Sequence, residues 1–216
     1  MKAFITVFNR LTYTKQLAEQ LSNYGLEVII IDNKSTYKPL LEWYKECPYK
    51  AHRMRGNYTA SVFFQRLKYK YKDRYIIITD PDMDISGLPA DWISILLGGL
   101  YYHPNVQKAG LSLKVDDLPD NDYTRKVIEH EQRYWLNRSE YNLFFHADVG
   151  NTLAVYDMTK LNKHNSIRSD SPYTAKHLDW YLTKETVTDE DLNYIETSKN
   201  IHYGWTQVFK ELIYDN

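Results

Sequence analysis

The sequence has 216 residues, 43% of them hydrophobic and 25% charged, which is enough to bury the core of one domain. Its 27 lysines and arginines balance 28 aspartates and glutamates, so no overall charge favours nucleic acid as a partner. No apolar run approaches the roughly 18 residues of a membrane span, and the single cysteine, Cys47, cannot form an internal disulfide. These features predict a protein without a membrane span, in a reducing, cytoplasmic compartment.

Strands and helices alternate through the first half of the sequence. Strands are predicted at residues 3–8, 28–31 and 75–79, and a weaker one at 49–54. Helices are predicted from Thr12 or Thr14 to Gly25, from Pro39 to Tyr44, and around an apolar face of Val62, Phe63, Leu67 and Tyr71. This alternation is typical of βαβ units and predicts a mainly parallel central sheet flanked by helices.

The second half is less regular, and it has no internal repeat or low-complexity linker. The predicted elements are a helix from Pro89 or Asp91 to Gly98-Gly99, a strand over 108–115, a helix over 122–137 and a strand over 152–156. From Lys160 onward the sequence is polar and turn-rich. We therefore predict one α/β domain over residues 1–216.

A run of aspartates, Asp80-Pro81-Asp82-Met83-Asp84, follows a strongly apolar predicted strand. Because Pro81 lacks a backbone donor, the strand should stop there and open into the crevice where α/β sheets bind ligands. Residues two apart on an extended chain share a face, so Asp80, Asp82 and Asp84 can converge. Clustered carboxylates repel each other unless a cation compensates, and Mg²⁺ or Mn²⁺ prefers such oxygen ligands. A lone Asp-x-Asp is more often a solvated turn, but its place at a strand end favours a metal site.

These features together resemble the GT-A glycosyltransferases. The resemblance is carried by the N-terminal strand, by a second strand that ends at Asp32 and is followed by polar residues 33–35, and by the Asp-x-Asp strand end. The runs 78–89 and 114–119 add to it. The sequence looks most like family 2-type bacterial enzymes and the small GT-A domain of chlorella-virus enzymes that glycosylate the capsid protein.

The resemblance implies a single GT-A, Rossmann-like domain, with a nucleotide-sugar-binding half over about 1–119 and an acceptor half over about 120–216. It implies a glycosyltransferase that moves a hexose or deoxyhexose from a UDP-sugar to a hydroxyl of a glycan or glycoprotein. Mn²⁺ or Mg²⁺ would be the cofactor. The location would be the host cytoplasm if the source is viral, and the oligomeric state is not indicated.

The resemblance also implies roles for individual residues. Donor contacts are implied at Phe8, Asn9, Arg10, Asp32, Arg53, Arg55, Asn57 and Asp80. Of these, Asp32 would accept a hydrogen bond from the uracil or the ribose, and Asp80 would face the ribose. Asp82 would be the principal metal ligand, and Asp84 is either a second ligand or a turn residue.

The second half offers fewer candidates. Asp148 precedes a predicted strand and is the candidate general base for the acceptor hydroxyl, although a turn aspartate is an equally good interpretation. His177 could complete the metal shell or contact the diphosphate, but a histidine beside apolar residues is more often structural. Arg168, His202 and Trp205 are weaker candidates.

Two alternatives come from other classes of protein. A nucleotidyltransferase also pairs an α/β sheet with aspartates and a metal, but it usually carries a basic, glycine-rich loop after the first strand, unlike residues 8–12. A non-catalytic carbohydrate-binding module would explain the 20 tyrosines and 5 tryptophans. That reading leaves three aspartates at a strand end unexplained.

Overall fold

The computed structural model describes residues 1–150, 152–160 and 165–198. The strands are β1 (Lys2–Val7), β2 (Glu27–Asp32), β3 (Lys50–Arg53), β4 (Tyr75–Thr79), β5 (Met83–Asp84), β6 (Lys108–Gly110), β7 (Ser112–Leu113), β8 (Phe144–His146), β9 (Ala154–Asp157), β10 (Ser166–Ser169) and β11 (Thr174–His177). The helices are α1 (Thr12–Asn23), α2 (Lys38–Trp43), α3 (Trp92–Tyr102), α4 (Asp122–Gln132) and α5 (Asp189–Thr197). Among these described helices, none is long and apolar enough to cross a bilayer.

The central sheet has eight strands in the order β3-β2-β1-β4-β9-β6-β10-β8. Strands β1 to β4 run parallel, β9 is antiparallel to both β4 and β6, and only β8 otherwise opposes the common direction. This confirms the predicted mainly parallel sheet. Because β1 pairs in register with β2 and β4, the three strands end at the same edge. A smaller sheet, β5-β11-β7, lies beyond that edge.

Alternating residues of the first strand pack into two separate cores, which is why both faces of the sheet must be covered. Ala3, Ile5 and Val7 belong to the larger core with residues of α1 and α3. Phe4 belongs to the smaller core and packs on Phe63, with ring centroids 4.5 Å apart. The near-continuous apolar runs that predicted these strands therefore reflect burial on both faces.

The predicted amphipathic helix around residues 62–71 is wrong in its geometry. The chain instead forms a 3₁₀ turn at Thr59–Ser61 and a π-helical turn at Phe63–Leu67, in which the Lys68 N–H donates to the Phe63 carbonyl at 2.9 Å. The apolar side chains are buried as the pattern indicated. A helix of α geometry is thus not needed to bury them, and packing on the sheet selects the wider turn.

Helix α3 continues past the two glycines at which the sequence predicted its end. A Cβ on Gly99 would lie 2.7 Å from Cζ of Phe144 on β8, whereas one on Gly98 would meet nothing within 4 Å. Gly99 is therefore required by the close approach of helix and strand rather than by a helix terminus. The extra turn carries the chain on to His103.

We expect the two glycines to respond oppositely to alanine. Gly99→Ala should lower the free energy of unfolding by about 1–3 kcal/mol, because the buried Phe144 ring cannot move aside without disturbing the core. Gly98→Ala should raise it by about 0.5–1 kcal/mol through lower chain entropy in the unfolded state. Urea unfolding of both variants measures this difference, and equal effects would contradict the close packing.

Several elements of the second half differ from the prediction. The strand expected over 108–115 is split at Leu111, whose N–H donates to the Leu153 carbonyl, so that β6 and β7 join different sheets. Helix α4 ends at Gln132 and is followed by a 3₁₀ turn rather than running to 137. Strands β8, β10 and β11 and helix α5 were not predicted, because elements of only three to nine residues carry little periodic signal. The division into a donor half and an acceptor half stays a prediction.

Candidate active site

A cavity of about 170 Å³ opens at the carboxyl ends of β1 and β4. The side chains that line it include Thr6, Phe8, Arg10, Asn33, Asn57, Asp80, Asp82 and Tyr194. The structure thus brings together residues that the sequence predicted from two strand ends and from the loop after β3. This is the edge at which parallel α/β sheets bind ligands.

Asp82 has an unusual environment for a carboxylate. It is only 8% exposed, and among the described residues its Oδ1 atom has no hydrogen-bond partner. Its Oδ2 atom lies 3.4 Å from Nε2 of His177. The pairing of β5 with β11 sets this contact, because it aligns His177 with Met83 and lets the Leu178 N–H donate to the Asp82 carbonyl at 2.7 Å.

His177 is held in place from its other face. Its ring stacks on Trp180 with centroids 4.7 Å apart and planes 16° from parallel. Its Nδ1 atom is buried and has no hydrogen-bond partner among the described residues. Asp82 thus has one buried oxygen without a partner among the described residues, and its other oxygen faces Nε2 of His177. A carboxylate and an imidazole this close are ligands that a divalent metal ion accepts, so these residues fit a metal ion.

Burial and neighbouring carboxylates raise the pKa values of Asp80 and Asp179. Burial raises the pKa of Asp80 well above its ordinary value, and the neighbouring Asp82 and Asp179 raise it further. Burial likewise raises the pKa of Asp179 to about 6, against the opposing effect of Arg10, while Asp82 adds to the rise. The mutual repulsion of three carboxyl groups would be relieved by a cation placed among them.

Arg10 is the buried cation of the site. It is 2% exposed, its Nη2 lies 2.6 Å from Oδ1 of Asp179, and its Nη1 donates to Asp191. The guanidinium carbon also lies 4.0 Å from the ring centroid of Tyr194. Burial lowers the pKa of Arg10, but Asp179 and the other acidic neighbours more than offset it, so the net pKa is raised. Arg10 therefore stays charged, and its guanidinium is bound to Asp179 and Asp191.

Helix α5 clamps the loop after β1 and was missed in the sequence. Glu190 accepts hydrogen bonds from the backbone N–H groups of Leu11 and Thr12 at 2.8 and 3.0 Å, which caps α1 from outside. Thr188 and Asp191 form a capping box at the start of α5. The Thr-x-x-Asp spacing of that box is the sequence signal that could have identified the helix.

Two predicted donor contacts, Asn9 and Asp32, lie inside the loop framework, both 0% exposed. Asn9 has a positive φ of 51°, and its Oδ1 accepts from the backbone of Thr36 and Tyr37. Asp32 accepts from the Ser35 N–H at 3.1 Å and from Arg53 at 3.1 Å. Both side chains hold the loops that form the cavity, and their direct contact with a nucleotide stays a prediction.

The remaining candidates from the first half are divided between this site and others. Arg53 and Arg55 are exposed, and Asn57 lines the cavity. Asp84 instead accepts hydrogen bonds from Gln20 at 2.7 Å and from the Ser86 N–H at 2.9 Å, and it lines a different cavity. The chain turns after Pro81, so the extended geometry assumed for all three aspartates does not hold.

The candidates from the second half lie elsewhere, except His177. Asp148 is 71% exposed in its side chain, 3.6 Å from Lys108, and lines a second cavity rather than the one with Asp80 and Asp82. Arg168 is buried and bound to Glu131 at 2.6 Å. The structure therefore does not bring Asp148 or Arg168 to the metal-site residues. His202 and Trp205 lie outside the described residues.

Comparisons with known proteins bear on the fold. No family model matches the sequence, and no curated protein does. The chain is similar to the solved structure of the mannosyltransferase PcManGT from Pyrobaculum calidifontis in complex with GDP-Man and Mn²⁺, with a TM-score of 0.53 and 11% identity. The fold is of the GT-A type.

The GT-A match covers 82% of this chain and 56% of that chain, so this chain spans little more than half the length of the mannosyltransferase. A second structure, CMP:2-keto-3-deoxy-manno-octonic acid synthetase complexed with CTP, is similar at a TM-score of 0.43 and 14% identity, over 75% of this chain and 76% of that one. At such identities the likeness concerns the fold. The likeness to the mannosyltransferase confirms the fold class that the sequence predicted.

Proposed function

We propose that this chain is a metal-dependent glycosyltransferase that moves a hexose or deoxyhexose from a UDP-sugar to a hydroxyl of a glycan or glycoprotein. The proposal depends mainly on one observation. At the carboxyl end of β4 in a GT-A fold, the buried Asp82 presents, beside His177, an oxygen that has no partner in the described part of the chain. Buried polar atoms normally have a hydrogen-bond partner or a bound ion, so this oxygen is expected to bind a ligand. A divalent cation matches the negative charge and the oxygen chemistry of the carboxylate.

Asp82 and His177 would hold the ion, with Asp80 beside them. When bound, Mn²⁺ or Mg²⁺ stabilises the negative charge that develops on the nucleoside diphosphate as the bond to the sugar breaks. Arg10 holds Asp179 through an ion pair of 2.6 Å, and Asp179 is near enough to Asp82 for the two carboxylates to repel each other. The chain's own residues therefore supply a fixed arrangement that needs little rearrangement during transfer.

The size and the lining of the cavity support the proposal of a pyrimidine nucleotide as part of the donor. Its volume of about 170 Å³ is below the ~300–1,000 Å³ of most small-molecule sites, so it would take only part of a nucleotide-sugar. Phe8 and Asn57 at its wall offer an aromatic face and an amide, which suit a base. Uracil is smaller than guanine and fits this limited space better, although the similar mannosyltransferase was solved with GDP-Man.

A panel of nucleotide-sugars, each assayed with and without Mn²⁺ for nucleotide release, tests the proposal. We expect release of UDP from a UDP-sugar only when Mn²⁺ or Mg²⁺ is present, and tighter UDP binding with the metal in calorimetry. An affinity for UDP that EDTA leaves unchanged would contradict the metal-dependent mechanism. Release of pyrophosphate from a nucleoside triphosphate would indicate a nucleotidyltransferase, and sugar binding without nucleotide release would indicate a binding module.

A further inference from the structure

A second group of metal-ligating side chains lies apart from the GT-A cavity. His103 follows α3, His146 ends β8, and Glu140 lies in the segment before β8. One ligand atom from each lies within 4.8 Å of the other two. All three line a cavity of about 570 Å³ next to the amino-terminal ends of β6 and β10. Asp80 and Asp82 lie at the opposite ends of the parallel strands, so this group is separate from the proposed donor site.

We propose that His103, Glu140 and His146 form a binding site for a Zn²⁺ ion. Two imidazoles and one carboxylate are a ligand set that Zn²⁺ accepts, and the cavity has room for a water molecule as the fourth ligand. Two imidazoles favour zinc over the harder Mg²⁺ and Mn²⁺ more strongly than the GT-A cavity does, where Asp80 and Asp82 accompany the single imidazole of His177. We therefore expect zinc to prefer this site.

His103 provides the strongest support, because a hydrogen bond at one ring nitrogen orients the other nitrogen as a possible metal ligand. It is 5% exposed, and its Nδ1 lies 2.8 Å from the Gly99 carbonyl, which can only accept a hydrogen bond. Nδ1 is therefore the nitrogen that donates in this hydrogen bond, and Nε2 is the nitrogen left to bind a metal. Among the described residues, that buried Nε2 atom has no hydrogen-bond partner. A metal-bound histidine commonly has this arrangement, with its other nitrogen donating to a backbone carbonyl.

The spacing of the other two ligands fits as well. Nε2 of His146 lies 3.6 Å from Oε2 of Glu140. Ligand atoms about 2.0–2.2 Å from a tetrahedral zinc lie roughly 3.3–3.6 Å apart, so this pair already has the required separation. The His103 ring lies 5.5 Å from that of His146, nearly perpendicular to it at 82°. The three ligand atoms lie within 4.8 Å of one another, and they must come closer together to share one ion. A small movement of the exposed Glu140 and His146 side chains is enough.

The backbone around the site is fixed on both sides. Phe144 packs over Gly99, which brings the end of α3 close to β8. The His146 N–H donates to the Asn137 carbonyl at 2.8 Å, and His146 pairs with Ile167 of β10. Two of the three ligands thus come from a helix end and a strand, which favours specific binding over a loose surface contact.

Zn²⁺ titration of the chelator-treated protein by calorimetry tests this proposal, with Co²⁺ as a spectroscopic probe of the same site. Glu140→Gln and His146→Gln change side chains that are 68% and 39% exposed, so both variants should fold. We expect each to weaken Zn²⁺ binding at this site at least about tenfold, since losing even outer-shell partners costs 10–100-fold. The visible Co²⁺ absorption of a nitrogen-containing tetrahedral site should disappear in His146→Gln.

Two control variants separate this site from general histidine binding and from the GT-A cavity. His130→Gln removes a histidine outside the group, and Asp82→Asn removes the central carboxylate of the other site. His130→Gln should keep the Zn²⁺ affinity and the Co²⁺ spectrum of the unaltered protein within about twofold. Asp82→Asn should keep the Zn²⁺ affinity of the His103 site within the same range, whatever metal it loses from the GT-A cavity. Equal Zn²⁺ affinity in His146→Gln, Glu140→Gln and the unaltered protein would overturn the proposal, as would loss of the Co²⁺ spectrum in Asp82→Asn alone.

Discussion

Asp82→Asn is expected to lower transfer from the nucleotide-sugar by on the order of 10²-fold or more and to abolish the effect of Mn²⁺ on UDP affinity. Asparagine keeps the size of the side chain but removes the charge. One carboxylate oxygen is replaced by an amide nitrogen that does not ligate a metal, and the remaining carbonyl oxygen is a neutral, weaker ligand. The buried Oδ1 atom and the nearby His177 make this position the centre of the proposed metal site. Calorimetry with UDP, with and without Mn²⁺, and a turnover assay measure both effects.

Asp148→Asn is the matched control, since it makes the same chemical change at a carboxylate that does not line the GT-A cavity. It should retain both UDP affinity and transfer within a few-fold. Reduced transfer with unchanged UDP affinity would instead support the general-base role that the sequence predicted for Asp148. Full activity and full Mn²⁺ dependence in Asp82→Asn would remove the observation on which the proposed function depends.

The second large effect concerns stability. Arg10→Ala should lower the free energy of unfolding by about 3–5 kcal/mol, because it leaves the buried carboxylate of Asp191 and the half-buried one of Asp179 without their counter-ion. For a chain of this size each kcal/mol corresponds to roughly 2–4 °C, so the melting temperature should fall by roughly 6–20 °C. Thermal unfolding followed by circular dichroism, in the presence of EDTA, measures the change.

Arg125→Ala provides a control with the same residue type and also two carboxylate partners, Asp120 and Asp122. Those partners are 82% and 90% exposed in their side chains, so the pairs are screened by water and worth at most about 1 kcal/mol. The melting temperature of this variant should change little. Equal losses in both variants would mean that burial does not strengthen the Arg10 cluster.

The sequence determined the first half of the fold closely, and the reason is local. Long apolar runs identified β1, β2 and β4 within one or two residues, and the glycine at Gly25, with a φ of 74°, ended α1 as predicted. The aspartates after β4 were expected at the carboxyl edge of the sheet, and Asp80 and Asp82 do line the cavity there. These features depend on the spacing of apolar residues along the sequence and on the chemistry of single residues. Both can be recognised without knowing any distant contact.

The partners of those aspartates were decided only by the tertiary structure. Asp179 and His177 approach Asp82 because β11 pairs with β5, and Asp191 reaches Arg10 because α5 packs on the loop after β1. These contacts join residues about 95 to 181 positions apart. The short strands β5 and β11 and the nine-residue helix α5 have no periodic pattern strong enough to predict such contacts. The same holds for His103, Glu140 and His146, which the close packing of α3 on β8 brings together. Long-range pairing of this kind is selected by the burial and charge balance of the whole fold, so a local pattern does not encode it.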